Sequence, residues 1–245
     1  MKNFEHFNAP PIISARQIGV TYQRKGLFHS SSYDALKNVT FDLYKGESLA
    51  VLGRNGAGKS TLLQLLAGVL QPDRGELINR GVQAQLLTLQ VGFDAKLTGR
   101  DNAILSGILL GRRRREVEKQ LDQIFEFAEL EAFMNAPLST YSAGMKARLG
   151  FAVSAYLEPD VLLVDEVLAV GDAAFQSKSK KIMEDKIASD KTVVLVSHSV
   201  EMIKKYCNRA VWIDDGVSRL EGNVNEVVAA YVDNMTTGNK MKAFG

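Results

Sequence analysis

Gly53-Arg54-Asn55-Gly56-Ala57-Gly58-Lys59-Ser60-Thr61 fits the pattern G-x-x-x-x-G-K-[ST], whose glycines let backbone N–H groups close around a phosphate chain. In that pattern Lys59 reaches the β- and γ-phosphates and the Ser60 hydroxyl holds Mg²⁺. The flanks agree with it. Ser48-Leu49-Ala50-Val51-Leu52 is a short apolar run suited to a buried strand, and Thr61-Leu62-Leu63-Gln64-Leu65-Leu66-Ala67 is rich in helix formers. Strand, glycine loop and helix follow in the order the motif needs, because a helix N-terminus favours an anion. A plain glycine-rich turn would not require these flanks.

The 245 residues suffice for one large α/β domain or two small ones. Apolar residues make up 46% and charged residues 24%, as in an ordinary globular protein. A net charge of +2 argues against nucleic-acid binding as the main task. The one cysteine, Cys207, has no partner for an internal disulfide, which fits a reducing cytosol, and reads as a small buried filler. Residues 1–11 carry charge but no apolar core for a secretory signal. No run approaches the roughly 18 apolar residues of a membrane span. If the protein serves a membrane process, the pore is expected in another chain.

Ile18, Val20 and Tyr22 alternate with polar neighbours, as do Val39, Phe41 and Leu43, so both segments read as half-exposed strands. The polar, Ser-rich residues 24–32 read as a loop between them. From about Leu97 the chain is poor in strands. A helix is expected over residues 113–133, where Val117, Leu121, Ile124, Phe125 and Ala128 form one apolar face, with Asn135-Ala136-Pro137 as its stop. The arginines Arg112, Arg113, Arg114 and Arg115 are read as its solvated start, since no aromatic residues interleave them to stack bases. Contact with anionic lipid headgroups is a weaker option. Val161-Leu162-Leu163-Val164 and Val193-Val194-Leu195-Val196 look like buried parallel strands. Residues 173–188 between them suit a helix. Ala210-Val211-Trp212-Ile213 followed by Gly216 suggests a hairpin, and residues 225–234 a short terminal helix.

Asp165 and Glu166 follow the apolar run Val161-Leu162-Leu163-Val164, and in parallel sheets ligands gather at the carboxyl ends of strands. Asp165 is placed to hold a metal, through water, opposite Ser60. Side chains alternate along a strand, so Glu166 points elsewhere, where it could act as general base on an attacking water. His198 directly follows another apolar run. It is either structural or a γ-phosphate contact that orients water. In Tyr141-Ser142-Ala143-Gly144-Met145, Ser142 precedes a helix expected over residues 146–157. Ser142 with Ala143 and Gly144 is either a second anion site or a Ser N-cap and nothing more.

Taken together, these motifs resemble the nucleotide-binding subunit of ABC transporters over about residues 12–230. The Walker A motif is Gly53 to Thr61. Walker B ends at Asp165, with Glu166 as the base. Tyr141-Ser142-Ala143-Gly144-Met145 stands where the signature Leu-Ser-Gly-Gly-Gln would be, and His198 matches the switch histidine. Ala143 and Met145 depart from the signature, and Ala169-Val170-Gly171-Asp172 departs from the usual Ser-Ala-Leu-Asp of the D-loop. The segments Glu166 to Gln176, Gly92-Phe93, Leu97-Thr98-Gly99-Arg100-Asp101-Asn102 and Tyr141 to Leu149 look like the polysaccharide and teichoic-acid exporter branch. Gln90 stands nearest the position of the metal-contacting Q-loop glutamine. Tyr22 is the choice for the adenine-stacking aromatic residue, with Tyr33 in reserve.

The resemblance implies an α/β P-loop ATPase fold: a RecA-like core, an N-terminal antiparallel β-subdomain and an α-helical subdomain over about residues 95–158. All would belong to one domain, 1–245, with a short tail over about 225–245 and no carbohydrate-binding domain. It implies ATP and Mg²⁺ as ligands, with Gly53, Arg54, Asn55, Gly56, Ala57, Gly58, Lys59, Ser60 and Thr61 around the phosphates. It also implies a homodimer in which Ser142, Ala143 and Gly144 of one subunit close the site of the other. A separate permease would be contacted between Gln90 and Asn102, at the cytoplasmic face of a bacterial membrane. No nucleic-acid partner is expected. Competing readings are an ABC ATPase for another substrate, one acting in translation or repair, and a scaffold that binds nucleotide without turnover. The intact Lys59, Asp165, Glu166 and His198 argue against the last.

Overall fold

The computed structural model describes residues 9–25, 30–86, 92–157, 159–165, 171–197 and 199–242. The chain forms two compact units. The first comprises Met1–Leu86, Leu163–Glu166 and Asp190–Gly245, and the second Leu87–Leu162 and Val167–Ser189.

Among the described residues a nine-stranded sheet runs in the order β4-β1-β2-β9-β8-β3-β7-β6-β5, and all its strands except the first half of β6 belong to the first unit. Strand β1 (Ile13–Lys25) pairs antiparallel with β2 (Ser30–Leu43), and Ile13↔Leu43, Ala15↔Phe41 and Ile18↔Val39 are buried cross-strand pairs. The pairing runs on through Tyr22↔Tyr33 to Lys25↔Ser30. This corrects the loop expected over residues 24–32: cross-strand backbone bonds hold polar and serine residues extended as readily as apolar ones, and only residues 26–29 lie outside the description. Strand β4 (Arg74–Asn79) pairs with the other edge of β1.

Strand β3 (Ser48–Leu52) is buried throughout, between β7 (Thr192–Val196) and β8 (Arg209–Asp214), both parallel to it. Parallel strands covered on both faces need continuous apolar runs rather than alternation, which is what β3 and β7 carry; β6 (Val161–Val164) is likewise buried throughout. Short β5 (Ala84–Leu86) closes that edge. Helix α1 (Lys59–Leu66) follows β3 and buries Leu62, Leu63, Leu65 and Leu66. Strand β8 turns into β9 (Val217–Asn223) through Asp215 at φ 49° and Gly216 at φ 72°. Two positive φ values in a two-residue loop match the right-handed twist of a hairpin.

At the start of β8 Arg209 Nη1 donates to both carboxylate oxygens of Glu47, at 2.8 and 3.1 Å, and Arg209 also pairs with Glu221. Burial pushes the Glu47 carboxyl up to about 7, against the pull of Arg209. Cys207 is buried, as expected of a filler. It ends α7 (Val200–Tyr206). The last helix, α8 (Val224–Lys242), is longer than the expected 225–234. Its first turns bury Val224, Val227 and Val228, and Tyr231 meets Trp212 edge to face at 5.9 Å. Once packed, the helix continues through polar residues that show no apolar period.

In the second unit α2 (Gly99–Leu109) is capped by Thr98, whose Oγ1 accepts from Asp101 N. The buried Asn102 amide donates to the carbonyls of Asp94, Leu97 and Thr98, and its Oδ1 accepts from Asp94 N. One asparagine thus ties the turn before α2 to its first turn. The single helix expected over residues 113–133 is instead three pieces: α3 (Arg114–Glu118), α4 (Leu121–Ala128) and a 3₁₀ turn Glu131–Phe133. Val117, Leu121, Ile124, Phe125 and Ala128 are all buried, so the apolar face was read correctly. Periodicity reports which face is buried; it does not report breaks in the backbone ladder. Here Glu129, at φ 58°, closes α4. Glu116 Oε2 accepts from Arg113 N at the start of α3 and Arg114 pairs with Glu118 at 2.8 Å; Arg113, Arg114 and Arg115 are exposed, the solvated helix start expected, whereas Arg112 precedes the helix and is half-buried. Helix α5 (Ala143–Tyr156) packs against α2 and α4, and α6 (Ala173–Ala188) against α5. Phe127, Phe151 and Phe175 form an aromatic cluster with centroids 5.3–6.0 Å apart.

Candidate nucleotide site

At the C-terminal end of β3 the chain leaves the sheet through Gly53 and enters α1 at Gly58. Gly53 is packed against the Ile213 carbonyl of β8, with no room for a side chain. Ala57 N donates to Arg54 O at 3.1 Å, closing a turn inside the loop. Gly58 is the N-cap of α1 at φ 98°, left-handed, and a Cβ there would fall on the Ala35 carbonyl and the Leu36 side chain of β2. Glycine is needed at Gly58 for both reasons, conformational and steric.

Lys59 is buried. Its Nζ donates to Gly53 O at 2.8 Å and Arg54 O at 2.9 Å, which lays the ammonium group across the loop. Ser60 Oγ donates to Asp165 Oδ2 at 3.1 Å. Asp165 directly follows β6, so the sheet brings together two oxygens 105 residues apart in sequence. A hydroxyl and a carboxylate are the hard oxygen donors that suit Mg²⁺. These groups lie along a cavity of about 290 Å³ whose other walls include Asn55, Gly56, Thr61 and Val196.

Tyr22 and Tyr33 stand opposite each other on β1 and β2 and both line this cavity. Tyr33 Oη donates to the Gly56 carbonyl at 2.9 Å. Sequence reasoning missed this contact because it treated residues 24–32 as loop and so lost the register of Tyr33. It missed a second one as well: Arg54 Nε donates to Met235 Sδ of α8 at 3.0 Å. Nearby, burial raises the Tyr231 hydroxyl above its usual range, with the Arg54 charge opposing.

Three expected residues, Gln90, Glu166 and His198, lie outside the described residues. The strand that precedes His198 ends level with β3, at Val51↔Val196. Ser142, Ala143 and Gly144 belong to the second unit and open α5, where Ser142 Oγ accepts from Met145 N at 3.1 Å as an N-cap. Tyr141 Oη donates to Phe133 O at 2.6 Å, and burial raises its pKa. A side chain on Gly99 would collide with that hydroxyl. This contact accounts for the glycine in Leu97-Thr98-Gly99-Arg100-Asp101-Asn102.

Residues 36–169 match the family described as ABC transporter. The chain belongs to the ABC transporter family. Within it, the chain is 43% identical over 205 residues to the O-antigen export system ATP-binding protein RfbB of Klebsiella pneumoniae, covering 84% of this chain and 83% of that protein. It is 43% identical over 209 residues to the Teichoic acids export ATP-binding protein TagH of Bacillus cereus, covering 85% of this chain but 37% of that protein. Among solved structures, the ABC cassette MJ0796, dimeric and bound to ADP and Pi after hydrolysis, aligns with a TM-score of 0.64 at 24% identity over 86% of this chain and 98% of that one. An ATP binding subunit of an ABC transporter aligns with a TM-score of 0.69 at 21% identity, over 90% and 93% of the two chains. At these identities the structures speak to the ABC ATPase fold. Among the described residues, no helix is long and apolar enough to cross a membrane.

Proposed function

We propose that this chain is the ATP-hydrolysing subunit of an ABC exporter that moves a lipid-linked polysaccharide, of O-antigen, capsule or teichoic-acid type, across the cytoplasmic membrane. The observation that carries the ATPase reading is the Ser60–Asp165 contact beside Lys59 and the glycine loop. The substrate class is supported by the 43% identity to subunits named for O-antigen and teichoic-acid export.

In this reading the loop N–H groups and Lys59 hold the β- and γ-phosphates, and Tyr22 stacks on adenine. Ser60 and Asp165, with Gln90 as the third expected ligand, would hold Mg²⁺, which would supply charge neutralisation at the phosphate oxygens. Glu166 accepts the proton of the attacking water and His198 orients the γ-phosphate. The N-terminus of α5, with Ser142, Ala143 and Gly144, closes the site of a second copy in a head-to-tail homodimer. A separate permease docks between Gln90 and Asn102, which keeps the subunit at the cytoplasmic face.

The test is Glu166→Gln. Hydrolysis falls by roughly 10²- to 10⁴-fold while ATP binding persists, and ATP with Mg²⁺ converts the variant to a dimer in light scattering. Near-normal turnover would remove Glu166 from the role of base, and a strictly monomeric variant would remove the shared site. Export of a labelled lipid-linked glycan from vesicles carrying the permease tests the substrate class.

A further inference from the structure

Strand β2 touches the phosphate loop at two places. Tyr33 and Ala35 both line the cavity at the loop. Tyr33 Oη donates to Gly56 O at 2.9 Å. Two residues further along, Ala35 O and Leu36 stand where a Cβ on Gly58 would have to lie. Gly56 sits at φ 80° with open space where a Cβ would lie. Its carbonyl belongs to the same peptide plane as the Ala57 N–H, which points to Arg54 O at 3.1 Å inside the loop. A trans peptide is planar and its C=O and N–H point opposite ways. Holding the carbonyl on one side therefore fixes the N–H on the other, at a residue type that otherwise lets the peptide rotate freely.

We propose that Tyr33 is a positioning residue of the phosphate site: its hydroxyl latches the Gly56–Ala57 peptide and holds the loop in the shape that receives a triphosphate. The proposal rests on the nucleotide reading above and gives Tyr33 a task separate from base stacking. Tyr33 is 55% exposed, so Tyr33→Phe leaves the buried core intact. The net worth of one neutral hydrogen bond corresponds to about 2- to 12-fold in affinity.

The experiment titrates wild type, Tyr33→Phe and Tyr33→Ala with ATP, GTP and inorganic triphosphate, and records the melting temperature of each without ligand. Tyr33→Phe keeps the ring and loses the latch. It is expected to weaken all three ligands by the same factor, about 3- to 10-fold, with an unchanged ATP:GTP ratio and unchanged melting. Wild-type affinity for the triphosphates in Tyr33→Phe overturns the latch. So does a loss confined to Tyr33→Ala and to the two nucleotides, which would make Tyr33 a base contact. A melting temperature that falls in step with affinity would make the hydroxyl structural and also overturns it. If wild type binds no nucleotide, the nucleotide reading itself falls and takes the latch with it.

Discussion

Gly58→Ala tests whether β2 shapes the phosphate loop, and Gly56→Ala is its internal control. Both glycines have positive φ, 98° and 80°. An L-residue in that region costs about 1–2 kcal/mol, and both variants incur it. Only at Gly58 does the new Cβ meet the Ala35 carbonyl and Leu36, whereas at Gly56 nothing lies within 4 Å. A backbone carbonyl in a paired strand has no rotamer to escape to, so overpacking adds about 1–3 kcal/mol. The expected totals are about 2–5 kcal/mol for Gly58→Ala and about 1–2 kcal/mol for Gly56→Ala. In a chain of this size 1 kcal/mol moves the melting temperature by about 2–4 °C. Gly58→Ala should therefore melt roughly 4–20 °C lower if the loop keeps its shape. If the loop yields instead, the same energy appears as lost ATP affinity, tenfold for each 1.4 kcal/mol or so. Melting by circular dichroism and titration with a fluorescent ATP analogue together recover the total. Equal behaviour of the two variants in both assays would refute the steric argument.

Two further outcomes concern stability. Glu47 binds its proton more tightly in the folded chain, where its pKa is about 7, than in the unfolded chain. Its contribution is therefore full below about pH 4.5 and lost as pH rises through 7, a change on the order of 3 kcal/mol. Urea unfolding from pH 5 to 7.5 should show this decline, and Glu47→Gln should flatten it; parallel slopes in the two proteins would sink the assignment. Phe175 is 2% exposed against Phe127 and Phe151. Phe175→Ala should cost about 3–5 kcal/mol in urea unfolding, and a loss below about 1 kcal/mol would mean that the cluster does not hold the second unit.

What could be read in advance followed from local rules. The glycine spacing of residues 53–58 reports a backbone that must turn tightly and leave its N–H groups inward. The apolar runs at 161–164 and 193–196 report strands covered on both faces, and helix α6 was legible because capping and composition agree over a single uninterrupted helix. The expected helix over 113–133 failed at its breaks, since an apolar face survives a change of backbone conformation at Gln120 and Glu129. The loop expected over 24–32 failed because serines and tyrosines carry no strong extended signal, and the pairing of β1 with β2 supplied the missing term.

By itself the sequence determined the chemistry of the phosphate loop and the family, because those depend on residue types at close spacing. The strand-end position of Asp165 already set it opposite Ser60, and only the tertiary structure decided that Tyr33 and Met235 also reach the loop. The sheet brings Asp165 to Ser60, β2 delivers Tyr33 to Gly56, and α8 brings Met235 to Arg54. Strand order and register set those distances, and both are properties of long-range backbone pairing that no local pattern encodes.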